Sequence, residues 1–134
     1  MIAARFSRNR IVGLVAGTGY LLLGVIGFFV TSSVEFAATD GGILFTLLEL
    51  NPLQNVLHLA LGAVLLGAGI AGHRFALPTN TIVGVVTFAL GFYGLFAIDL
   101  ATNYLALNTW GNALHFGTAA VLVAVGLGAD RTRE

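Results

Sequence analysis

The sequence contains no cysteine, and only 9% of its 134 residues are charged. Without cysteine the chain has no disulfide, no thiolate metal ligand and no cysteine nucleophile. The scarcity of charge separates it from soluble domains, in which about a quarter of the residues are charged. All six cationic residues are arginines and six acidic residues balance them. The sequence therefore has no basic stripe of the kind that binds nucleic acid.

Long uncharged stretches take the place of the missing charge. Hydrophobic residues make up 57% of the chain, and Asp, Glu and Arg are absent from residues 11–34, 50–72, 75–98 and 100–129. About 20 apolar residues in a helix cross the hydrocarbon core of a bilayer. We therefore predict an all-α integral membrane four-helix bundle, a single membrane domain over residues 1–134. Its spans are expected at residues 11–31, 52–71, 81–100 and 109–128.

The longest connection between the predicted spans covers residues 32–51. Its sequence Thr39-Asp40-Gly41-Gly42 is typical of a turn. Residues 43–50 form a short amphipathic segment, which we expect to lie at the outer membrane interface. Asn51 followed by Pro52 is a typical helix start, with Asn as the N-cap and Pro in the first turn.

The charged residues predict the orientation of the chain. The acidic residues Glu35, Asp40, Glu49 and Asp99 all fall in the two connections on one side of a four-span protein. The arginines fall on the other side, at both termini and between spans two and three: Arg5, Arg8, Arg10, Arg74, Arg131 and Arg133. Because positive charge is retained in the cytoplasm, we expect both termini to be cytoplasmic.

A polar pattern occurs twice, each time at the head of an apolar span. Asn, Asn and His at positions i, i+4 and i+7 lie on one face of a helix. The copies are Asn51, Asn55 and His58, then Asn108, Asn112 and His115. We expect the cluster near the outer leaflet, with both histidines at one shallow depth and facing the bundle interior. Spans one and three also resemble each other. We therefore expect two same-topology helical-hairpin repeats, related by an axis along the membrane normal.

The simplest interpretation of this cluster is structural. Asn51 and Asn108 would cap their helices. The two histidines, with Asn55 and Asn112, would form an interhelical hydrogen-bond network that defines which helices pair. In the same way we expect the G-x-x-x-G glycines of span one, Gly13 and Gly17, to pack inside the bundle rather than in a dimer.

Two other interpretations give the histidines a ligand. His58 and His115, supported by Asn55 and Asn112, could ligate a haem or bind a quinone headgroup. Alternatively, His58, His115 and Asp99, with Glu49 as a further carboxylate, could bind a metal. No nucleophile–base pair, phosphate loop or HExxH motif occurs, so a protein without enzymatic activity and without a cofactor is the default expectation.

Residues 50–59 followed by Gly62, and later residues 112–116, resemble a four-span membrane family of bacteria and archaea catalogued as domain of unknown function 4383. The resemblance covers about residues 11–128. It implies a four-helix membrane bundle of the prokaryotic plasma membrane with no established activity. That family often has His where this chain has Gln54, so a site that needed this His would lack a ligand here. The chain is more distantly similar to DoxX-like four-helix proteins, whose association with quinol oxidation implies a redox accessory role.

The sequence thus predicts a small, non-enzymatic polytopic membrane protein that is structural or an accessory subunit of a membrane assembly. The alternative is a redox or ligand-binding protein that uses His58 and His115. The expected partners are the lipid bilayer and either a larger membrane complex or further copies of the chain.

Overall fold

The computed structural model describes residues 7–128 and contains four long helices. They are α1 (Arg8–Val30), α2 (Pro52–Ala71), α3 (His73–Ala97) and α4 (Thr109–Gly128). Each is long and apolar enough to cross a membrane. This confirms the expected all-α, four-helix membrane fold. The connections α1–α2 and α3–α4 lie at one end of the bundle, which we call the hairpin end. The α2–α3 connection lies at the other, the turn end.

The third helix begins at His73 instead of the expected residue 81, because one glycine makes the whole connection from α2. Gly72 has a φ of +123°, a conformation that glycine adopts without a steric penalty. Its carbonyl accepts hydrogen bonds from the amides of Phe75 and Ala76. Pro78 then lies inside α3, where it removes one backbone donor without ending the helix.

The other helix boundaries also have local causes. Ser7 caps α1 by accepting a hydrogen bond from the Arg10 amide at 3.3 Å, so the helix begins at Arg8 and not at residue 11. At the far end of α3, Asp99 has a φ of +62°, which no helix accommodates. The third helix therefore ends at Ala97 rather than at residue 100.

Most of the amphipathic segment 43–50 belongs to a small antiparallel hairpin. Strand β1 (Gly42–Leu44) pairs with β2 (Leu48–Leu50), and Gly42 lies opposite Leu50. Leu44 and Leu50 are buried, whereas Ile43 is exposed. The amphipathic pattern therefore has the period of two that a strand requires.

The turn of this hairpin is strained. Phe45 and Thr46 have φ values of 52° and 60°, in the left-handed region that bulky and β-branched residues avoid. A backbone hydrogen bond from the Leu47 amide to the Leu44 carbonyl, at 3.1 Å, lies within the turn. Elsewhere at this end, Ala106 also has a positive φ. The loops of the hairpin end consequently depend on side-chain hydrogen bonds from the helices beneath them.

Glycines set how closely the helices approach. Helix α1 packs chiefly against α2, and α3 against α4. Gly17 and Gly62 face each other, since a Cβ on Gly17 would lie 2.5 Å from the Leu66 amide nitrogen and a Cβ on Gly62 would lie 2.6 Å from that of Leu21. Gly13 likewise lies against α2. The G-x-x-x-G pair of span one therefore packs within the chain, as expected.

The two helical hairpins make matching contacts. Gly27 leaves room for the Asn55 amide in the first hairpin, and Gly94 leaves room for the Asn112 amide in the second. When the two hairpin sequences are aligned, Gly27 corresponds to Gly94 and Asn55 corresponds to Asn112. The contacts agree with a repeat, although the repeat itself stays a prediction. A small apolar core between the hairpins contains Tyr20, Leu61, Leu65, Val83 and Leu122.

Candidate functional site

Asn51 connects both loops of the hairpin end to α2. Its Oδ1 accepts a hydrogen bond from the Gln54 amide at 2.8 Å, which caps the helix. Its Nδ2 donates to the carbonyls of Ala38 and Tyr104, each at 2.8 Å. Asn51 is completely buried, and both atoms of its amide are bonded.

Asn108 has the corresponding role on α4. Its Oδ1 accepts from the Gly111 amide at 2.9 Å, and its Nδ2 donates to the Leu47 carbonyl in the hairpin turn at 2.7 Å. Gln54 adds a third support. In the amide orientation that satisfies its surroundings, it donates to the carbonyls of Glu49 and Leu105. Both capping roles expected from the sequence are therefore present, and Gln54 holds the loops as well.

The second asparagines of the two copies differ in their bonding. Asn55 donates through Nδ2 to the Thr31 hydroxyl at 2.9 Å, which ties α2 to the end of α1. Asn112 is buried against Gly94, and neither its Oδ1 nor its Nδ2 has a hydrogen-bond partner among residues 7–128. The first asparagine holds the fold, whereas the second is left available for a further bond.

The two histidines meet at the centre of the bundle. His58 from α2 and His115 from α4 are both completely buried. Their ring centroids are 5.8 Å apart and the rings are tilted by 55°. Tyr20 from α1 packs on His58 with a centroid distance of 5.4 Å. We call Tyr20, His58 and His115 the polar centre.

No protein group within the described residues hydrogen-bonds to the imidazoles. All four ring nitrogens of His58 and His115 are buried without a partner. The Tyr20 hydroxyl approaches Thr118 but does not reach hydrogen-bond geometry. Buried polar atoms are nearly always paired in folded proteins, and an unmade bond costs about 1–3 kcal/mol. The polar centre thus carries hydrogen-bonding capacity that the fold does not use.

A comparison with known protein families identifies the family of this chain. The family model described as domain of unknown function (DUF4383) matches residues 10–128, a range that includes nearly all of the four helices. The chain belongs to the DUF4383 family. No curated protein and no solved structure matches it. The match confirms the resemblance seen in the Asn and His motifs, and the family description assigns no activity.

In this DUF4383 protein the carboxylates expected of a metal site do not join the histidines. Asp99 is exposed in the α3–α4 connection, and the Glu49 carboxylate accepts a hydrogen bond from the Gly41 amide at 2.7 Å. His58 lies seven residues inside α2 from its cap, about 10 Å deeper in the bundle. Within residues 7–128 no three His, Asp or Glu side chains come together as metal ligands.

The packing of the polar centre also bears on haem. The two imidazoles are already within the distance at which aromatic rings contact each other, and Tyr20 packs against one of them. A porphyrin ligated by both rings would have to separate them and displace the surrounding side chains. The observed packing is therefore not that of two imidazoles with a flat macrocycle between them.

A second buried polar cluster, at the turn end, was missed by the sequence reasoning. Asn80 donates through Nδ2 to the carbonyl and to the Oδ1 of Asn9, at 2.9 and 3.0 Å. Asn9 in turn donates to the Val125 carbonyl at 3.2 Å, so the cluster joins α1, α3 and α4. Asparagines within apolar spans are the available signal, because such residues turn inward and find partners.

Proposed function

We propose that this protein is a non-enzymatic accessory protein of the prokaryotic plasma membrane that binds an uncharged polar group of a ligand at His58 and His115. The observation that carries the proposal is that four imidazole nitrogens lie buried inside an apolar bundle without a hydrogen-bond partner among residues 7–128. Because no carboxylate among the described residues joins the imidazoles, the centre is suited to holding a ligand or presenting it to another subunit.

The chemistry of the imidazoles defines the group that they would bind. A neutral imidazole has one donor and one acceptor nitrogen, so the pair offers two of each. Charged groups are costly in an apolar interior without a counter-charge, which favours an uncharged hydroxyl, amide or carbonyl. A quinone headgroup, which presents carbonyl oxygens, is one member of this class.

A purely structural role for the histidines is less well supported. The structural work at the hairpin end is done by Asn51, Asn55 and Asn108, whose amides bond to loops and to other helices. Interhelical hydrogen bonds contribute to helix pairing only where they form. The two imidazoles make no hydrogen bond to the described residues. Their burial therefore costs desolvation free energy without adding a bond that pairs the helices.

We further propose that the turn end faces the cytoplasm. Arg8, Arg10 and Arg74 lie at that end, whereas the loops of the hairpin end carry Glu35, Asp40, Glu49 and Asp99. This distribution supports cytoplasmic termini. Since the natural chain has no cysteine, Ser33→Cys and Ala71→Cys each create one unique thiol. In intact cells a membrane-impermeant maleimide should label Ser33→Cys alone, and labelling of Ala71→Cys alone would reverse the orientation.

Nitrogen NMR tests the binding proposal, because the chain has only three histidines. Protein labelled with ¹⁵N-histidine is stripped of lipid, placed in phosphatidylcholine nanodiscs and then exposed to a lipid extract of its host membrane. We expect the imidazole resonances of His58 and His115 to shift on exposure, while those of His73, at the turn end, stay in place. Unchanged resonances at all three histidines would contradict the proposal.

A further inference from the structure

We infer that the ligand enters the polar centre sideways from the lipid, through a cleft between α1 and α4, and that it is a single-chain amphiphile with an uncharged, hydrogen-bonding head. The inference rests on the proposed function only in placing the head beside His58. The cleft, its lining and its polar end are independent of that proposal.

The larger part of the cleft is an apolar channel on the lipid-facing surface. It has a volume of about 490 Å³ and is lined by Val12 and Val15 from α1 and by Gly117 and Val121 from α4, among others. Helices α1 and α4 come from different hairpins and contact each other less than the helices within a hairpin do. The channel is therefore a lateral opening between the two halves of the protein.

A smaller part continues the cleft toward the polar centre. It has a volume of about 300 Å³, and it shares Ala16 and Thr118 with the larger part. Leu48 of strand β2 lies in its lining on the side of the hairpin end. Together the two parts fall within the range of about 300–1,000 Å³ that is usual for small-molecule sites.

Two side chains with hydroxyls, Tyr20 and Thr118, line the smaller part of the cleft, and Tyr20 marks where the head of a ligand would lie. Tyr20 lines the smaller part of the cleft and is only 4% exposed. Its hydroxyl has no hydrogen bond within the described residues, while its ring packs on His58. A head group at Tyr20 would thus satisfy a buried hydroxyl. Neither imidazole lines the cleft itself, so the Tyr20 side chain connects the head to His58.

The lining selects the kind of amphiphile. Among residues 7–128 no charged side chain lines either part of the cleft, so a charged head would lose its hydration without gaining a counter-charge from them. Leu48 of strand β2 borders the polar end, so an apolar side chain and not a charged one covers it on the side of the hairpin end. A single apolar chain along Val12, Val15 and Val121, with a hydroxyl or carbonyl at Tyr20, matches the shape and the polarity.

A second lateral cleft provides an internal comparison. It lies between α3 and α4, has a volume of about 570 Å³ and is lined by Val85, Phe88, Phe116 and other apolar side chains. All of the described residues that line it are apolar. It offers no anchor for a head group, and we expect bulk lipid chains to fill it without preference for any head.

The experiment uses hexadecanol with a photoactivatable diazirine in its chain, with the full-length protein in phosphatidylcholine nanodiscs. Cross-linked peptides are quantified for the wild type, Gly117→Leu, Gly67→Leu and Tyr20→Phe. Leucine at Gly117 fills the cleft, whereas Gly67 lies outside it; a Cβ at either position meets no atom of the described residues within 4 Å. The two leucine variants are therefore matched in their tolerance by the fold.

We expect labelling to concentrate on α1 and α4 in the wild type and to fall about tenfold in Gly117→Leu but not in Gly67→Leu; a tenfold change in affinity corresponds to about 1.4 kcal/mol. Excess unlabelled hexadecanol should compete, whereas hexadecane should compete only in Tyr20→Phe. Equal labelling of all four helices, or equal labelling of the wild type and Gly117→Leu, would contradict binding in the α1–α4 cleft. Competition by palmitate as strong as that by hexadecanol would overturn the uncharged head.

The same labelling separates this inference from the proposed function. In His58→Leu/His115→Leu, loss of labelling supports both. If the double variant were labelled in the cleft as strongly as the wild type, amphiphile binding in the cleft would be supported and the role of the imidazoles would be refuted. If the NMR shifts at His58 and His115 persisted in Gly117→Leu, ligand binding at the imidazoles would be supported and entry through the α1–α4 cleft would be refuted.

Discussion

Replacing Gly17 by leucine is expected to prevent the bundle from folding. The Cβ of any residue at this position would lie 2.5 Å from the Leu66 amide nitrogen and 2.9 Å from the Gly62 carbonyl oxygen. Both are backbone atoms of α2, which cannot move aside as a flexible side chain can. The two helices would have to separate along their whole contact, and close packing is what holds helices together in lipid.

The expected magnitude is large. Extra methylenes in a packed interior cost about 1–3 kcal/mol even where side chains can adjust, and here the obstruction is backbone on backbone. Gly67→Leu is the matched control. Gly67 lies on α2, the helix against which Gly17 packs, and a Cβ there meets no atom of the described residues within 4 Å. Its unfolding free energy should stay within about 0.5 kcal/mol of the wild type.

Size-exclusion chromatography and circular dichroism during unfolding in sodium dodecyl sulfate provide the measurement. Gly17→Leu should elute as aggregate or unfold at much lower detergent fraction, and Gly67→Leu should behave as the wild type. If Gly17→Leu were monodisperse and as stable as the wild type, the close approach of α1 and α2 at Gly17 and Gly62 would be wrong.

Much of the fold follows from the sequence because bilayer thickness and backbone bonding leave few solutions. Four uncharged stretches of sufficient length favour four helices able to span a bilayer, and Asn51 and Asn108 cap their helices where the sequence places them. The start of α3 was predicted too late because Pro78 and Asn80 look like loop residues. In the structure, Gly72 alone makes the turn, and the Asn80 side chain bonds to Asn9 on α1.

The small β-hairpin and the detailed bonding of the site were less predictable. The strands are three residues long, and Phe45 and Thr46 are not residues that favour the turn they form. The motif of Asn and His predicted that the histidines would share one depth and face the bundle interior. It did not indicate that Asn55 would bond to Thr31 while Asn112 and both imidazoles have no hydrogen-bond partner in the described part of the chain. Whether a side chain finds a hydrogen-bond partner depends on its distance from side chains on other helices. The spacing of residues along one helix does not determine that distance.

Removing the two imidazoles should make the lipid-free protein more stable. Substitution of a buried residue usually destabilises a protein, but here the lost groups form no hydrogen bond with the described chain. Leucine at both positions eliminates four buried, unpaired nitrogens in exchange for apolar surface. We expect His58→Leu/His115→Leu to raise the unfolding free energy of the stripped protein by about 1–3 kcal/mol, the usual cost of an unsatisfied buried polar group.

Asn51→Leu is the control with the opposite expected sign. Asn51 is as deeply buried as His58, but its amide makes three hydrogen bonds, to Gln54, Ala38 and Tyr104. Leucine there leaves the two loop carbonyls and one helix amide unpaired. We expect a loss of about 2–4 kcal/mol. The pair of variants thus distinguishes a polar residue that holds the fold from polar residues that serve a ligand.

The most direct measurement is therefore the unfolding free energy of lipid-stripped wild type, His58→Leu/His115→Leu and Asn51→Leu, repeated after adding back a lipid extract of the host membrane. A ligand that binds only the folded state stabilises it. The account predicts that the stripped double variant is more stable than the stripped wild type and that only the wild type and Asn51→Leu gain from the extract. A stripped double variant that loses several kcal/mol, as Asn51→Leu does, would show that His58 and His115 hold the fold.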